Sequence, residues 1–150
     1  MTKHEKLAEE YFLSGYNCAQ AVFLAFAEEQ GFSREAAARI ASSFGGGVGG
    51  MREMCGALSG LCMAAGLLYG YDSPKAYEEK AEHYARIREL ADGFRAQFGT
   101  ILCRDILGLG EHPKPTLPQK RTAEYYKDRP CAAVVAEAAR ILDEYDHSDR

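Results

Sequence analysis

The chain has 150 residues, of which 47% are hydrophobic and 27% charged, and its formal net charge is −4. This length allows one domain with a substantial core, which we place over residues 1–150, and the composition is ordinary for a globular protein. The acidic balance, together with the lack of a basic patch carrying aromatic residues, argues against nucleic acid as a partner.

The most apolar stretch, MCGALSGLCMAAGLLY at 54–69, is shorter than the roughly 20 residues that a membrane-spanning helix needs. It predicts a buried helix, and we expect no stable membrane insertion. The first residues, MTKHEKLAEE, lack the apolar core of a signal peptide, so we expect a cytoplasmic protein. Thiols stay reduced there, so the five cysteines indicate redox chemistry, metal binding or plain burial rather than a static disulfide framework.

Helical periodicity recurs along the chain, whereas no segment alternates convincingly with the period of a strand. The pattern predicts an all-α fold, a compact single-domain bundle of about six to seven helices. In chain order, the predicted helices are 3–13, 18–30, 34–43, 54–70, 74–98, 101–107 and 130–145, with a further short helical piece at 119–127.

The predicted helix ends rest on capping residues. Asn17 and Ser33 are typical N-caps, and Gly15 and Gly31 end the helices before them. Ser73 is expected to cap the longest helix, which would begin at Pro74. Its predicted core-facing stripe consists of Tyr77, Ala81, Tyr84, Ile87, Ala91, Phe94 and Phe98. The three prolines within 108–119 predict an irregular loop.

Four cysteines, Cys18, Cys55, Cys103 and Cys131, lie in the first turn of a predicted helix. Backbone N–H groups and the helix dipole favour negative charge there, which lowers the pKa of a thiol. Each of the four also lies on the apolar face of its helix. If successive helices run antiparallel, the four helix starts meet at one end of the bundle and form one site. We expect a markedly lowered pKa at Cys55 in particular.

The fifth cysteine, Cys62, follows Cys55 by two helical turns, roughly 10 Å along the same helix. That distance is beyond the reach of a disulfide with Cys55. We expect Cys62 to be a small buried hydrophobe that packs apart from the other four cysteines. We therefore also expect Cys55 to react with a thiol reagent faster than Cys62.

The stretch FGGGVGGMREMCGALSG at 44–60 places five glycines at positions 45–50, shortly before Cys55. Glycine permits positive φ values and close approach of the backbone, so we expect a connection beside Cys55. Gly46, Gly47 and Gly49 are the candidate cofactor-binding residues, and tight packing in a turn is the alternative. The glycine spacing fits a dinucleotide fingerprint, but a predicted helix, not the required strand, precedes it.

These motifs resemble the redox-active protein family C_GCAxxG_C_C, named for one cysteine, a Cys-Gly-Ala-x-x-Gly motif and two later cysteines. The matching parts cover nearly the whole chain: YNCAQAV (16–22), FGGGVGGMREMCGALSG (44–60), Cys103 in FGTILCRDILG (98–108), and Cys131. The resemblance implies a small redox-active protein in which these four cysteines matter. It also implies a link to a transporter, and related domains have been suspected of holding iron–sulfur clusters.

Two functional classes stay open, beside the alternative that the cysteines only pack the core. In the first, Cys18, Cys55, Cys103 and Cys131 are the catalytic residues of a thiol–disulfide electron-transfer protein, a possible thiol-dependent oxidoreductase with an unknown redox partner. In the second, the same four cysteines are metal ligands for an iron–sulfur cluster or zinc. Their spacing matches no known metal motif, which favours the first class. A homodimer is a possible assembly.

The other side chains that could take part in chemistry show weaker sequence patterns. His4, His83, His112 and His147 have no spacing typical of metal ligands. Arg52, Arg104 and Arg129 each lie within three residues of a cysteine, where a positive charge would favour the thiolate. Glu53 could exchange a proton near Cys55, although a surface carboxylate is the commoner case.

Overall fold

The computed structural model describes residues 1–114 and 117–146, so His147 lies outside the described residues. In chain order the helices are α1 (Lys3–Leu13), α2 (Cys18–Ala27), α3 (Arg34–Ala41), α4 (Gly56–Tyr69), α5 (Tyr77–Phe98), α6 (Cys103–Ile106), α7 (Ala123–Asp128) and α8 (Cys131–Asp146). Short 3₁₀ helices at Glu28–Gln30 and Ser42–Phe44 extend α2 and α3. The predicted all-α bundle is confirmed, and none of the described helices is long and apolar enough to cross a membrane.

The helix starts follow the predicted capping chemistry. Asn17 forms a capping box with Gln20 at the start of α2: its side chain accepts a hydrogen bond from the Gln20 N–H, and its own N–H donates to the Gln20 side chain. The Ser33 side chain caps α3 by accepting a single hydrogen bond from the Ala36 N–H. Gly31, with a φ of 91°, ends the helical segment that α2 begins. Cys18 is therefore held at a well-defined helix start.

Helix α2 is central to the core, where it packs against α1, α3, α4 and α8. Two glycines of α4 permit its close contact with α2. A Cβ at Gly60 would lie 2.6 Å from the carbonyl oxygen of Ala19, and a Cβ at Gly56 would lie 3.2 Å from the Ala19 nitrogen. Because any larger residue would push the helices apart, this packing fixes the start of α4 beside the start of α2.

Helix α5 departs from the prediction at its N-terminal half. It begins at Tyr77 instead of Pro74, and Tyr77 and Tyr84 are 79% and 49% exposed. The buried residues of α5 are His83, Leu90 and Phe94. The helix packs on α4 and α8, and its early residues form no buried stripe against them. The predicted core-facing stripe is therefore wrong for its first half.

Candidate functional site: a cavity lined by four thiols

The starts of four helices surround one cavity of about 510 Å³. Cys18, Cys103 and Cys131 are the first residues of α2, α6 and α8, and Cys55 is the N-cap of α4. All four line the cavity. Cys62 does not, and it is half-buried against the core. The predicted meeting of the four helix starts, and the separate position of Cys62, agree with the structure.

The glycine segment, residues 45–50, forms part of the cavity wall. Every residue from 46 to 50 has a positive φ, including Val48, and so does Arg52. The chain folds back on itself, because the Arg52 N–H donates to the Gly46 carbonyl at 2.9 Å and the Glu53 N–H donates to the Gly47 carbonyl at 2.8 Å. Gly46, Gly47 and Gly49 line the cavity, so the predicted connection with positive φ values lies beside the site.

Backbone hydrogen bonds hold Cys55 and Cys103 on neighbouring chain segments. The two cysteines follow Met54 and Leu102, which form an isolated antiparallel bridge. The Cys55 N–H donates to the Ile101 carbonyl at 2.8 Å, and the Cys103 N–H donates to the Glu53 carbonyl at 2.7 Å. Outside this bridge, residues 1–114 and 117–146 form no β-structure. The two thiols are thus positioned by the main chain.

Cys18 and Cys131, the first residues of α2 and α8, both line the cavity, and each side chain shifts the pKa of the other. Hydrogen bonding from the Cys18 thiol lowers the pKa of Cys131 to about 7 against the opposing effect of burial, and the positive charges of Arg129, Arg121 and Arg52 act in the same direction. The same hydrogen bonding, together with burial, raises the pKa of Cys18 well above its usual value. Cys131 is therefore the more acidic thiol of the pair, and Cys18 is the less acidic one.

The expectation of a markedly lowered pKa at Cys55 is wrong. Burial raises the pKa of Cys55 to about 12, and the N–H groups of Ala57 and Leu58 at the start of α4 offset only part of that rise. Burial alone raises the pKa of Cys62 to about 11. The helix start acts on Cys55 in the predicted direction, but removing the thiol from water has the larger effect.

Among the described residues, three arginines line the cavity. Arg52 donates from Nη1 to the Cys103 Sγ over 3.7 Å. The guanidinium of Arg129 stacks on the Tyr125 ring, with 4.8 Å from its central carbon to the ring centroid. Arg121 also lines the cavity, whereas the predicted candidate Arg104 does not.

Arg104 instead pairs with the exposed Glu53 carboxylate at 3.1 Å, and the described cavity lining does not include Glu53. Sequence reasoning missed Arg121, which lies beyond the proline-containing loop and far along the chain from Cys18. Its guanidinium reaches the carbonyl oxygens of Phe12 and Tyr16. No local sequence signal marks such a long-range contact.

The chemistry of four thiols suits zinc or an iron–sulfur cluster. Their placement does not: within the described parts of the chain, no three His, Cys, Asp or Glu side chains are arranged to hold a metal ion together. The four thiols line one cavity, but no three of them meet at a common point that could hold an ion. The arrangement therefore does not fit the metal alternative.

The family model described as Putative redox-active protein (C_GCAxxG_C_C) matches residues 16–145. The chain belongs to this family. The match contains all four cavity cysteines and the glycine segment of this C_GCAxxG_C_C protein, and it ends one residue before the end of α8. No curated protein and no solved structure matches the chain.

Proposed function

We propose that this C_GCAxxG_C_C protein is a thiol–disulfide oxidoreductase in which Cys18 and Cys131 alternate between two thiols and one disulfide. The observation that carries the proposal is the placement of these two thiols on one cavity lining, at the first residues of α2 and α8, which pack against each other. The two side chains are also the first cause of each other's pKa shift, which supports their proximity, and a disulfide needs the sulfurs to approach to about 2.05 Å. The proposal makes the chain a redox protein without a bound metal.

Cys131 is the attacking residue in this scheme. Thiolates are the nucleophiles of disulfide exchange, and an attacking thiol is most effective when its pKa lies near the ambient pH. The pKa of Cys131, about 7, meets that condition. Its thiolate attacks one sulfur of a substrate disulfide, forms a mixed disulfide, and releases the other sulfur as a thiolate that takes a proton from water.

Cys18 completes the reaction as the resolving residue. Its raised pKa keeps its proton in place until the mixed disulfide has formed. Its sulfur then attacks Cys131, the second substrate sulfur leaves, and the proton of Cys18 goes to that leaving group. The substrate gains two electrons and two protons, and the protein ends with one Cys18–Cys131 disulfide.

Cys55 and Cys103 are assigned no leading role. Burial keeps the Cys55 thiol protonated near neutral pH. Both line the same cavity, so they can receive the disulfide in a later exchange and serve as a second pair. The redox partner, the cytoplasmic location, a homodimer and a link to a transporter stay predictions.

The test is to map the first disulfide that forms. Fully reduced protein is mixed with a limiting amount of hydroxyethyl disulfide, quenched by alkylation, digested and analysed by mass spectrometry. We expect the Cys18–Cys131 disulfide first. Cys18→Ser should accumulate a mixed disulfide on Cys131, and Cys131→Ser should form neither product.

Cys62→Ser is the matched control and should behave as the unchanged protein, because Cys62 does not line the cavity. Circular dichroism should show that each variant keeps its helix content. A different first pair, or no disulfide in a folded protein, would refute the proposal. Stoichiometric iron or zinc in protein purified without oxygen would favour the metal alternative.

A further inference from the structure

The charge of the cavity lining differs from that of the chain as a whole. The chain has 22 acidic and 18 basic residues. Among the described residues, those that line the cavity include three arginines, Arg52, Arg121 and Arg129, and neither an aspartate nor a glutamate. Although the chain is acidic, the described lining of this cavity contains guanidinium groups and no carboxylates, which gives the interior a positive potential.

The groups that hold two of these arginines carry no charge. Arg121 donates to the carbonyl oxygens of Phe12 and Tyr16 at 3.0 and 2.9 Å, and its guanidinium stacks 4.3 Å from the centroid of the Phe12 ring. Arg129 stacks on the ring of Tyr125. Carbonyl and aromatic contacts orient a guanidinium but leave its net charge in place, so both groups remain available to an anion.

The size of the cavity and the burial of its thiols indicate a small ligand. A volume of about 510 Å³ lies within the range of small-molecule sites. Cys55, Cys103 and Cys131 are each no more than 9% exposed, so a disulfide on the surface of another folded protein would not reach them easily. A compact molecule can enter between the glycine segment and the helix starts.

We propose that the cavity binds a low-molecular-weight disulfide bearing carboxylates, which the arginines hold while Cys131 attacks one of its sulfurs. This inference rests on the proposed function and specifies its substrate class. The reductant is the dithiol of Cys18 and Cys131. Cys131 bonds to one sulfur and displaces the first small thiol, and Cys18 then bonds to Cys131 and displaces the second. Two small thiols leave, and the protein keeps one disulfide.

The test compares three disulfide probes that differ in charge: oxidised glutathione is anionic, hydroxyethyl disulfide is neutral and cystamine is cationic. The rate of Cys18–Cys131 formation is measured with each at pH 7, and is divided by the rate of the same probe with a short unstructured cysteine peptide. We expect the normalised rate for oxidised glutathione to exceed that for cystamine by about tenfold or more at low salt. The ratio should shrink in 0.5 M salt.

Variants of Arg129 separate binding from thiol activation. The ratio of the oxidised glutathione rate to the hydroxyethyl disulfide rate should fall by about threefold in Arg129→Gln. A change in the pKa of Cys131 affects both probes alike, so this ratio reports on the anionic groups only. Arg129→Lys should restore most of it. Arg95→Gln, which removes an exposed arginine paired with Asp92, is the matched control.

The outcomes distinguish the two levels of the proposal. Equal normalised rates for the three probes, with the Cys18–Cys131 disulfide forming each time, would overturn the anionic substrate class and leave the proposed function standing. An unchanged probe ratio in Arg129→Gln and in a folded Arg121→Gln would overturn the role of the arginines. No disulfide with any probe would overturn the proposed function itself.

Discussion

The helix starts at Cys55 and Cys131 place the same chemical group in the same local setting, yet the two thiols have opposite properties. Both lie where backbone N–H groups favour a thiolate. The pKa of Cys55 is about 12, because the effect of burial exceeds that of the N–H groups of Ala57 and Leu58. The pKa of Cys131 is about 7, because a second thiol donates to it and arginine charges face it.

A helix start alone therefore does not make a reactive cysteine. The exposed fractions of the two residues, 6% and 9%, differ little, so exposure does not explain the contrast. What differs is the set of partners: Cys131 has Cys18 as a hydrogen-bond donor, with Arg129 and Arg121 as charges, whereas the groups that favour the Cys55 thiolate are backbone N–H groups. Side chains from distant parts of the chain determine which thiol ionises.

The largest expected effect is the difference in labelling rate between these two thiols. With a thiol reagent at pH 7, Cys131 should react on the order of a hundredfold or more faster than Cys55, even after allowing for the greater nucleophilicity of a thiolate of higher pKa. Quantitative mass spectrometry of peptides containing Cys55, Cys62 and Cys131 measures all three rates together. Equal labelling rates for Cys55 and Cys131 would contradict the difference in pKa between the two thiols.

The pH dependence of the two labelling rates tests the difference between Cys55 and Cys131 in a second way. Cys131 is about half ionised at pH 7, so raising the pH to 9 should increase its rate only about twofold before it levels off. Cys55 is far below its pKa over that interval, so its rate should rise about tenfold per pH unit. A plateau for Cys55 and a continuing rise for Cys131 would reverse the assignment of thiolate and thiol.

The next largest expected effect is the loss of stability when glycines of the glycine segment, which lies beside Cys55, are replaced. A Cβ at Gly47 would lie 2.6 Å from the Glu53 nitrogen and 2.7 Å from the Cys103 Cβ, at a φ of 69°. Gly49 also has a positive φ, but a Cβ there meets nothing within 4 Å. Gly47→Ala should lower the free energy of unfolding by about 2–4 kcal/mol, from overpacking and backbone strain together.

Gly49→Ala is the matched control and should cost about 1 kcal/mol, because it carries backbone strain alone. Denaturant unfolding followed by circular dichroism measures both. In a folded Gly47→Ala protein, labelling of Cys103 should change more than labelling of Cys131. Equal losses of stability in the two variants would show that the close packing of Gly47 against Cys103 contributes nothing.

Much of the fold was predictable because its signals are local. Capping by Asn17 and Ser33, stops at glycine, and the apolar periodicity of most helices involve residues only a few positions apart. The first half of α5 failed because periodicity shows which face is apolar, not whether a neighbouring helix covers it. The helix pattern therefore predicts where the helices lie more reliably than it predicts which helices pack against each other.

The candidate site was predictable in its cysteines and not in their chemistry. Four helix starts meet at one cavity, as the alternation of helix direction predicts. The Cys18–Cys131 pairing and the position of Arg121 depend on contacts between residues more than 100 positions apart, which no local pattern encodes. The raised pKa of Cys55 depends on burial, which sequence position indicates only indirectly.

The smallest expected effect separates the charge of Arg129 from the hydrogen bond of Cys18. Because the hydrogen bond is the larger cause of the lowered Cys131 pKa, Arg129→Gln should raise that pKa modestly and slow labelling of Cys131 at pH 7 by about twofold to threefold. The loss should vanish above pH 9, where the thiolate forms in either protein. Cys18→Ala should shift the labelling profile further than Arg129→Gln does.

Arg104→Gln is the matched control, because Arg104 pairs with Glu53 outside the cavity and should leave the Cys131 profile unchanged. Arg129→Lys keeps the positive charge and should restore most of the rate, whereas a purely structural role of the planar guanidinium on Tyr125 would not be restored. If Arg129→Gln shifted the profile as far as Cys18→Ala, charge and not the paired thiol would be the main cause of the contrast between Cys55 and Cys131. The effect of Cys18 on the pKa of Cys131 would then no longer support the assignment of these two cysteines as the redox pair.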